Sequence, residues 1–320
     1  MPIDLPKVLT AIEVSENPYA DEAEAHTRAW ARELGLDADS RSAARLAQVR
    51  LGWYSGLCWP TASAEQLKLC TDVATWLFSA DDYFDQGELA HQPDEVEHIA
   101  GAIHQHVFRA PQPEPSALAW ALSDIYSRAQ ATMPLFWSRR LERHVAGFFD
   151  ATVKAAAFRS AGPQPAGEPD DFLALWRDYH AFWIALDFSE VVLGHAFPAA
   201  IYHSPPIQEL VRLTVNLSCV VNDLFSLQDN DVFNLRLHLQ RSRGCTLEEA
   251  TAQACALADE WTAQFHAAYA GLPQFLDRLH SPAETRAHAL DYADGLRAAF
   301  RGNAEWTTAM QTARYKAAVR

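Results

Sequence analysis

The spacing of proline and glycine breaks constrains the fold of this 320-residue chain more than any other feature. Between the breaks the sequence is rich in Ala, Leu, Glu, Arg and Gln, which favour helices, and alternating β-branched runs are nearly absent. The breaks fall at Pro60 and at residues 111–115, 162–169, 205–206 and 271–273. These intervals suit long helices, so the sequence predicts an all-α fold of roughly ten or more helices.

Two capping boxes support the helical prediction. Ser63 stands three residues before Gln66, and Thr246 stands three residues before Glu249, the pattern that begins many helices. No long linker divides the chain. We therefore expect a single domain over residues 1–320, with a loosely ordered N-terminal segment.

That N-terminal segment, residues 1–20, lacks the pattern of a secretory signal. No apolar run approaches the roughly 20 residues of a membrane span. The five cysteines show no metal-ligand spacing and are expected to be free thiols, so we expect a cytoplasmic protein. The net charge of −15 disfavours binding to nucleic acid or to anionic membranes.

The most informative segment is an acidic cluster that follows the apolar run at residues 76–80. Asp81 and Asp85 are four residues apart, which places both carboxylates on one helical face, with Asp82 beside them. Such like charges repel unless a cation binds between them. Magnesium prefers oxygen ligands and shares them with substrate phosphates, so this cluster is a candidate Mg²⁺ site.

A second oxygen-rich cluster follows another apolar helix further along the chain. Asn222 and Ser226 are four apart on one face, and Asp229 returns to nearly the same face. Asn230 lies about a quarter turn away. Either cluster alone is also compatible with a solvent-facing helix end, but two such clusters in this order are much harder to explain in that way.

With both clusters in place, the chain resembles a bacterial class I terpene synthase over nearly its whole length. Residues 234–250 match the run that normally follows the second motif, and Trp306 followed by Arg314-Tyr315 resembles the closing pattern. The resemblance implies a single-domain class I terpenoid synthase-like helical bundle around a central apolar cavity. It also implies three Mg²⁺ ions bound with a prenyl diphosphate, to which Arg314 and Tyr315 donate hydrogen bonds.

Three departures from the family pattern affect the predicted site. The second motif has Asn230 where the family has Glu, which leaves Asp229, Asn230 and Asp231 as alternative ligands. The position of a diphosphate-sensing Arg holds Trp176, with Arg177 next to it as the candidate replacement. The Gly expected shortly afterwards falls near residue 180, which is His.

An aromatic stripe within residues 172–192, predicted as one helix, completes the candidate site. Aromatic faces stabilise passing cations by roughly 0.5–2 kcal/mol each, although core packing also explains such stripes. The candidate pocket residues are Phe78, Trp176, Tyr179, Phe182, Trp183 and Trp306.

The resemblance implies Mg²⁺-dependent ionisation of a prenyl diphosphate, most simply farnesyl diphosphate, followed by cyclisation to a hydrocarbon or alcohol. A diterpene synthase acting on geranylgeranyl diphosphate is one alternative. A degenerate isoprenoid-binding homologue is another, motivated by the departures above. A prenyl-elongating synthase would normally show two aspartate-rich motifs. This chain has only one, at residues 81–85, which disfavours that class. The family analogy also implies a monomer or a homodimer.

Overall fold

The computed structural model describes residues 11–38, 40–162, 169–227 and 231–310. Within these ranges the chain forms α-helices and one short 3-10 helix, Leu89–His91, and no β-strand. The all-α prediction is therefore confirmed. The helices are α1 Ala20–Glu33, α2 Ser40–Val49, α3 Leu51–Cys58, α4 Ala64–Phe84, α5 Pro93–Phe108, α6 Ala117–Gln130, α7 Leu135–Ala161, α8 Pro169–Tyr179, α9 Phe182–Leu193, α10 Ala199–Tyr202, α11 Pro205–Phe225, α12 Leu235–Arg243, α13 Leu247–Arg278 and α14 Ala283–Met310.

Both predicted capping boxes are present. The Ser63 amide donates to Gln66 Oε1 at 2.9 Å, and the Gln66 amide donates to Ser63 Oγ at 3.4 Å, which begins α4. The Thr246 amide donates to Glu249 Oε2 at 2.8 Å, and the return bond is 3.2 Å, which begins α13. Each box satisfies two amides that the helix cannot, so these starts are fixed locally.

Two buried apolar clusters hold the bundle together. In one cluster α4 packs against α1, α3 and α6, and in the other α11 packs against α13 and α14. The helices α4 and α11, which carry the two oxygen-rich ends, thus each lie in a separate part of the core. No helix in the described residues combines the length and apolar character needed to cross a membrane.

A close contact between α3 and α14 sets their separation. Gly302 on α14 lies against the backbone of Leu57, so that a Cβ at residue 302 would sit 2.4 Å from the Leu57 carbonyl oxygen. Only glycine permits this approach, because any side chain would overlap backbone atoms that cannot move aside.

The prediction of one helix over residues 172–192 is wrong. The structure ends α8 at Tyr179 and begins α9 at Phe182, with Ala181 between them at φ 56° and ψ 12°. This left-handed conformation costs a non-glycine residue roughly 1–2 kcal/mol. The segment contains neither glycine nor proline at the break, and the helical spacing of its aromatic residues continues across it. The sequence therefore gave no sign of the interruption.

The predicted break at residues 271–273 is also wrong. Helix α13 continues through Pro273 to Arg278. An internal proline removes one helical hydrogen bond and costs about 3 kcal/mol. Leu272 and Leu276 on either side are fully buried, and their packing offsets that cost.

Part of the N-terminal segment contacts the bundle through hydrogen bonds. The Asn17 side chain is buried and donates to the carbonyls of Trp59 at 3.1 Å and Ala62 at 2.8 Å. Arg301 donates to the Ile12 carbonyl at 2.9 Å. Residues 1–10 lie outside the described part of the chain.

Candidate active site

A cavity that is partly open to solvent lies among α3, α4, α7, α8, α9, α11 and α14, and the space inside it and at its open mouth together is about 1010 Å³. Along α4 its lining changes from Phe78 to Asp81 in the final turn, and then to Asp85, the residue that caps the helix. The oxygen-bearing residues that line it are Asp81, Asp85, Asn222, Asp223, Ser226, Asp231 and Asn303. The aromatic residues that line it are Tyr54, Phe78, Phe148, Tyr179, Phe182, Phe233 and Trp306.

The three carboxylates at the end of α4 have different surroundings. Asp81 lines the cavity. Asp82 lines a separate groove and forms an ion pair with Arg45 at 3.0 Å. Asp85 caps α4, where its amide donates to the Asp81 carbonyl at 3.0 Å, and its carboxylate pairs with Arg159 at 3.1 Å. Thus Asp81 and Asp85 share the cavity, while Asp82 points away from its lining.

At the end of α11, neutral oxygens line the same cavity. Ser226 is the C-cap residue, and its hydroxyl donates to Asn222 Oδ1 at 2.9 Å. Asp231, in the connection that follows α11, also lines the cavity. Asp229 and Asn230 lie outside the described residues. The structure therefore places Asn222 and Ser226 in the lining of the same cavity as Asp81.

Asp223 joins three separate pieces of backbone next to this site. Its buried carboxylate accepts hydrogen bonds from Trp176 Nε1 at 2.7 Å, His180 Nε2 at 2.9 Å and the Leu235 amide at 2.6 Å. Burial alone would lower the pKa of His180, but the Asp223 carboxylate outweighs it and the pKa is raised. Asp223 thus fixes the last turn of α11 relative to the ends of α8 and α12.

Two of the predicted pocket residues take other places. Trp176 is fully buried against Asp223 and is absent from the cavity lining. Trp183 stacks on His144, with ring centroids 5.6 Å apart and planes 26° apart, and is absent from the lining as well. The break at Ala181 interrupts the helix, so the stripe that the sequence predicted as continuous is divided between α8 and α9.

Of the predicted diphosphate-binding residues, Arg177 lies in the described part of the chain. Arg177 Nε donates to Asn216 Oδ1 on α11 at 2.6 Å, and Arg177 does not line the cavity. Arg314 and Tyr315 lie outside the described residues. His180 stands in the lining instead, at the position where the family resemblance led us to expect glycine.

An aromatic trio forms one wall of the cavity. Trp306 packs edge-on against Tyr54, with centroids 5.2 Å apart, and against Phe78 at 5.5 Å. Trp306 Nε1 donates to the Val49 carbonyl at 2.9 Å, which fixes the indole. Such faces stabilise a cation without attacking it. Phe78, Tyr179, Phe182 and Trp306 lie in the cavity lining.

Sequence reasoning missed several lining residues, among them Tyr54, Phe148, Phe233 and Asn303. Tyr54 lies on a short helix, and Phe233 lies in a connection, so neither belongs to a readable aromatic stripe. Asn303 lies three residues before Trp306, the first residue of the closing pattern, and this proximity was the one available signal.

The donor chemistry of the cavity fits a hard cation. Carboxylate, amide and hydroxyl oxygens are the ligands that Mg²⁺ takes together with substrate phosphates. In the described ranges no three His, Cys, Asp or Glu side chains form a metal-binding group by themselves. Asn222 and Ser226 contribute neutral oxygens, which such a group does not include.

Comparison with known proteins agrees with this geometry. Residues 72–264 match the family model for terpene synthase family 2, C-terminal metal binding. Pristinol synthase of Streptomyces pristinaespiralis is 34% identical over 308 residues, which cover 93% of this chain and 82% of that protein. The (-)-delta-cadinene synthase of Streptomyces clavuligerus is 29% identical, covering 94% of this chain and 92% of that protein.

Solved structures show the same fold. Germacradien-4-ol synthase from Streptomyces citricolor superposes with a TM-score of 0.83 at 24% identity, covering 93% of this chain and 96% of that chain. Wild-type cucumene synthase gives a TM-score of 0.82 at 25% identity, covering 95% and 99% of the two chains. Because the family model spans residues 72–264 and pristinol synthase matches along 93% of the chain, this protein belongs to the bacterial class I terpene synthase family.

Proposed function

We propose that this protein ionises farnesyl diphosphate with Mg²⁺ and cyclises the resulting carbocation to a terpene hydrocarbon or alcohol, releasing diphosphate. The observation that carries the proposal is the single cavity that joins oxygen donors from two helix ends to an aromatic wall. An oxygen-rich end suits a diphosphate bound through cations, and an apolar aromatic wall suits a reactive hydrocarbon cation.

In this proposal Asp81, Asn222 and Ser226 hold Mg²⁺, with Asp231 as the additional carboxylate from the second segment. Bound Mg²⁺ supplies electrostatic stabilisation of the leaving diphosphate, which is the main catalytic contribution. The resemblance to the family implies three Mg²⁺ ions. Asp231 is proposed because it lines the cavity. Asp229 and Asn230, which lie outside the described residues, stay the alternatives that the sequence offers.

The protein's own side chains complete the reaction. Arg314 and Tyr315 are proposed, from the family resemblance, to donate hydrogen bonds to the diphosphate. Tyr54, Phe78 and Trp306 face the cation and keep water from it. We further propose that residues 1–320 form one domain, since the lining comes from helices between α3 and α14.

The choice of a C15 substrate rests on relatives. The (+)-T-muurolol synthase of Roseiflexus castenholzii, 27% identical over 301 residues, is named as (2E,6E)-farnesyl diphosphate cyclizing. This chain covers 88% of that relative's length. Because the two proteins align over most of both chains, we propose that this protein accepts a prenyl diphosphate of the same chain length.

The test is incubation of the purified protein with geranyl, farnesyl and geranylgeranyl diphosphate, each with Mg²⁺ and with EDTA, followed by gas chromatography. We expect a Mg²⁺-dependent cyclic C15 product from farnesyl diphosphate. A cyclic product from geranylgeranyl diphosphate alone would replace the substrate assignment. The absence of any product from all three would overturn the proposal and favour the non-catalytic alternative.

A further inference from the structure

A surface groove lies between α2, the second half of α4 and the start of α6. We call it the α2 groove, and the space inside it and at its open face together is about 1080 Å³. The side chain of Tyr83 in its lining is 48% exposed. The apolar residues that line the groove are Leu36, Ala38, Leu46, Tyr83, Ala117 and Leu118. An apolar ligand would bury its surface against these side chains, which is favourable in water.

A narrow crevice lies between the α2 groove and the cavity of the candidate active site. The crevice shares Arg45, Leu46 and Asp82 with the α2 groove. It shares Phe78 with the cavity. The three spaces therefore follow one another, from the cavity through the crevice to the α2 groove.

The partition between the crevice and the cavity is one side chain thick at Phe78. This half-buried ring lines both spaces and packs edge-on against Trp306, with centroids 5.5 Å apart. Trp306 is fixed to the Val49 carbonyl, and Val49 lines the crevice. A change of rotamer at Phe78 would therefore join the cavity to the crevice without moving a helix.

On the outer side the crevice is covered by α2, which is weakly held. Helix α2 packs far less extensively on α4 than α1 does. Leu46 is half-buried and lines the crevice, the α2 groove and a further depression between α1 and α2. Because open space adjoins Leu46 on several sides, this part of α2 can shift without overlapping the core.

The polar contacts of α2 are also easily broken. Arg45 forms an ion pair with Asp82 at 3.0 Å, in which the two side chains are 32% and 23% exposed. Arg28 donates to the Ala47 carbonyl at 3.2 Å on the exposed surface. Such solvent-exposed contacts stabilise a fold little, so their loss does not prevent α2 from moving.

The two ends of the cavity suit different parts of the reaction mixture. In the proposed function Mg²⁺ and diphosphate occupy the oxygen-rich end at Asp81, Asn222 and Ser226. The terpene product is apolar and gains nothing from passing these charges. A route past Phe78 and Leu46 keeps the product in contact with apolar side chains until it reaches the α2 groove.

We propose that the terpene product leaves the cavity past Phe78, between α2 and α4, and that the α2 groove binds it on the way out. Leu46 and the Arg45–Asp82 ion pair close this passage until the product is released. The inference rests on the proposed function for the identity of the ligand, an apolar C15 hydrocarbon or alcohol.

Three substitutions change the passage, and two others are matched controls. Leu46→Phe fills the crevice, Leu46→Ala widens it, and Arg45→Gln breaks the ion pair. Leu135→Phe alters a leucine on α7 that is 61% exposed, and Arg212→Gln breaks a comparably exposed ion pair with Glu209 on α11. Neither control residue is among the described residues that line the cavity, the crevice or the α2 groove.

The experiment measures release of farnesol, an apolar C15 alcohol that carries no diphosphate to ionise. Stopped-flow tryptophan fluorescence, to which Trp306 in the cavity wall contributes, follows its dissociation after mixing with phosphatidylcholine vesicles that take up the alcohol. Release is measured with MgCl₂ and inorganic diphosphate, which occupy the oxygen-rich end, and again with EDTA. Thermal unfolding of each variant and the single-turnover rate with farnesyl diphosphate complete the set.

With MgCl₂ and diphosphate, we expect Leu46→Phe to slow farnesol release about fivefold and Leu46→Ala and Arg45→Gln to speed it about threefold. With EDTA the effect of Leu46→Phe should fall below about twofold, because the oxygen-rich end is then a second route. The single-turnover rate should change less than about twofold in every variant, since Leu46 acts after the chemical step. Both controls should match the wild type.

Farnesol release from folded Leu46→Phe at the wild-type rate would overturn the inference, and so would a failure of the wild type to bind farnesol. A single-turnover rate lowered as much as the release rate would place Leu46 in the chemical step and would also overturn it. If Leu46→Phe loses its fold, unchanged release from Leu46→Ala and Arg45→Gln would have the same meaning.

Failure of the proposed function can be recognised separately. If the wild type forms no product from any prenyl diphosphate, the proposed function fails. The rates of farnesol release would still decide whether the passage between α2 and α4 exists, because farnesol needs no turnover.

Discussion

The ends of α4 and α11 present oxygens to one cavity by opposite means. At the end of α4, carboxylates are compensated by cations from neighbouring helices, Arg45 for Asp82 and Arg159 for Asp85. At the end of α11 the cavity-facing oxygens of Asn222 and Ser226 are neutral and hydrogen-bond each other.

The carboxylate of α11 is used differently from those of α4. Asp223 is 1% exposed and is stabilised by hydrogen-bond donors from an indole, an imidazole and a backbone amide. In the proposed function Asp81 at the end of α4 serves metal binding, whereas Asp223 at the end of α11 stabilises the architecture of the bundle. Substitutions at the two ends should separate loss of activity from loss of stability.

The largest effect is expected for Asp81→Ala, which removes the metal-facing carboxylate of α4. Diphosphate release should fall at least about a thousandfold, or ~4 kcal/mol of transition-state stabilisation, while the unfolding temperature stays near that of the wild type. A coupled phosphate assay and circular dichroism measure the two quantities. Near-normal turnover would show that α4 does not contribute the essential ligand.

Asp223→Asn should affect stability first. The new side-chain amide places an N–H donor among the three donors that now bind the carboxylate. Removing a buried charged partner lowers the free energy of unfolding by about 3 kcal/mol. Urea unfolding measures the loss. Asp294→Asn is the control. This exposed carboxylate on α14 accepts hydrogen bonds from Tyr269 and Arg297, and its loss should change stability little, because surface pairs contribute little. Equal losses in the two variants would contradict the structural role of Asp223.

Asn222→Ala should reduce kcat about thirtyfold, or ~2 kcal/mol, which is less than the loss in Asp81→Ala because a neutral oxygen is removed. The half-saturating Mg²⁺ concentration should rise, and excess Mg²⁺ should restore part of the rate. Initial rates across a Mg²⁺ series measure both. If Asn222→Ala changed KM for the substrate alone, the metal assignment of the α11 end would be wrong.

The smallest effect is a pH dependence from His180. Its pKa is raised in the folded state, so its ion pair with Asp223 contributes stability that is fully present below the unfolded-state value of about 6.5. That contribution is lost as pH rises through the folded-state pKa. The difference in unfolding temperature between wild type and His180→Gln should shrink from pH 5.5 to pH 8.5. A constant difference would exclude the charged pair.

Much of this arrangement could be predicted from local patterns. The capping boxes at Ser63 and Thr246 are determined by residues three apart, and the pairing of Asn222 with Ser226 follows from one helical turn. These predictions succeed because each depends on neighbours in sequence.

The remaining features depend on partners distant in sequence. The spacing that placed Asp82 beside Asp81 could not show that Arg45 pairs with it, and nothing near Trp176 indicated that its indole binds Asp223. The left-handed conformation of Ala181 is likewise set by tertiary packing, since alanine favours a continuous helix.

The contact of Gly302 with the Leu57 backbone has a consequence for redesign of the cavity. Helix α14 carries Asn303 and Trp306 into the lining, and α3 carries Tyr54, so the separation of these helices sets the distance between the walls. Gly302, which is not part of the cavity lining, thereby affects the width of the cavity. Cavity size in this enzyme can be tuned from outside the cavity, by choosing how closely two backbones approach.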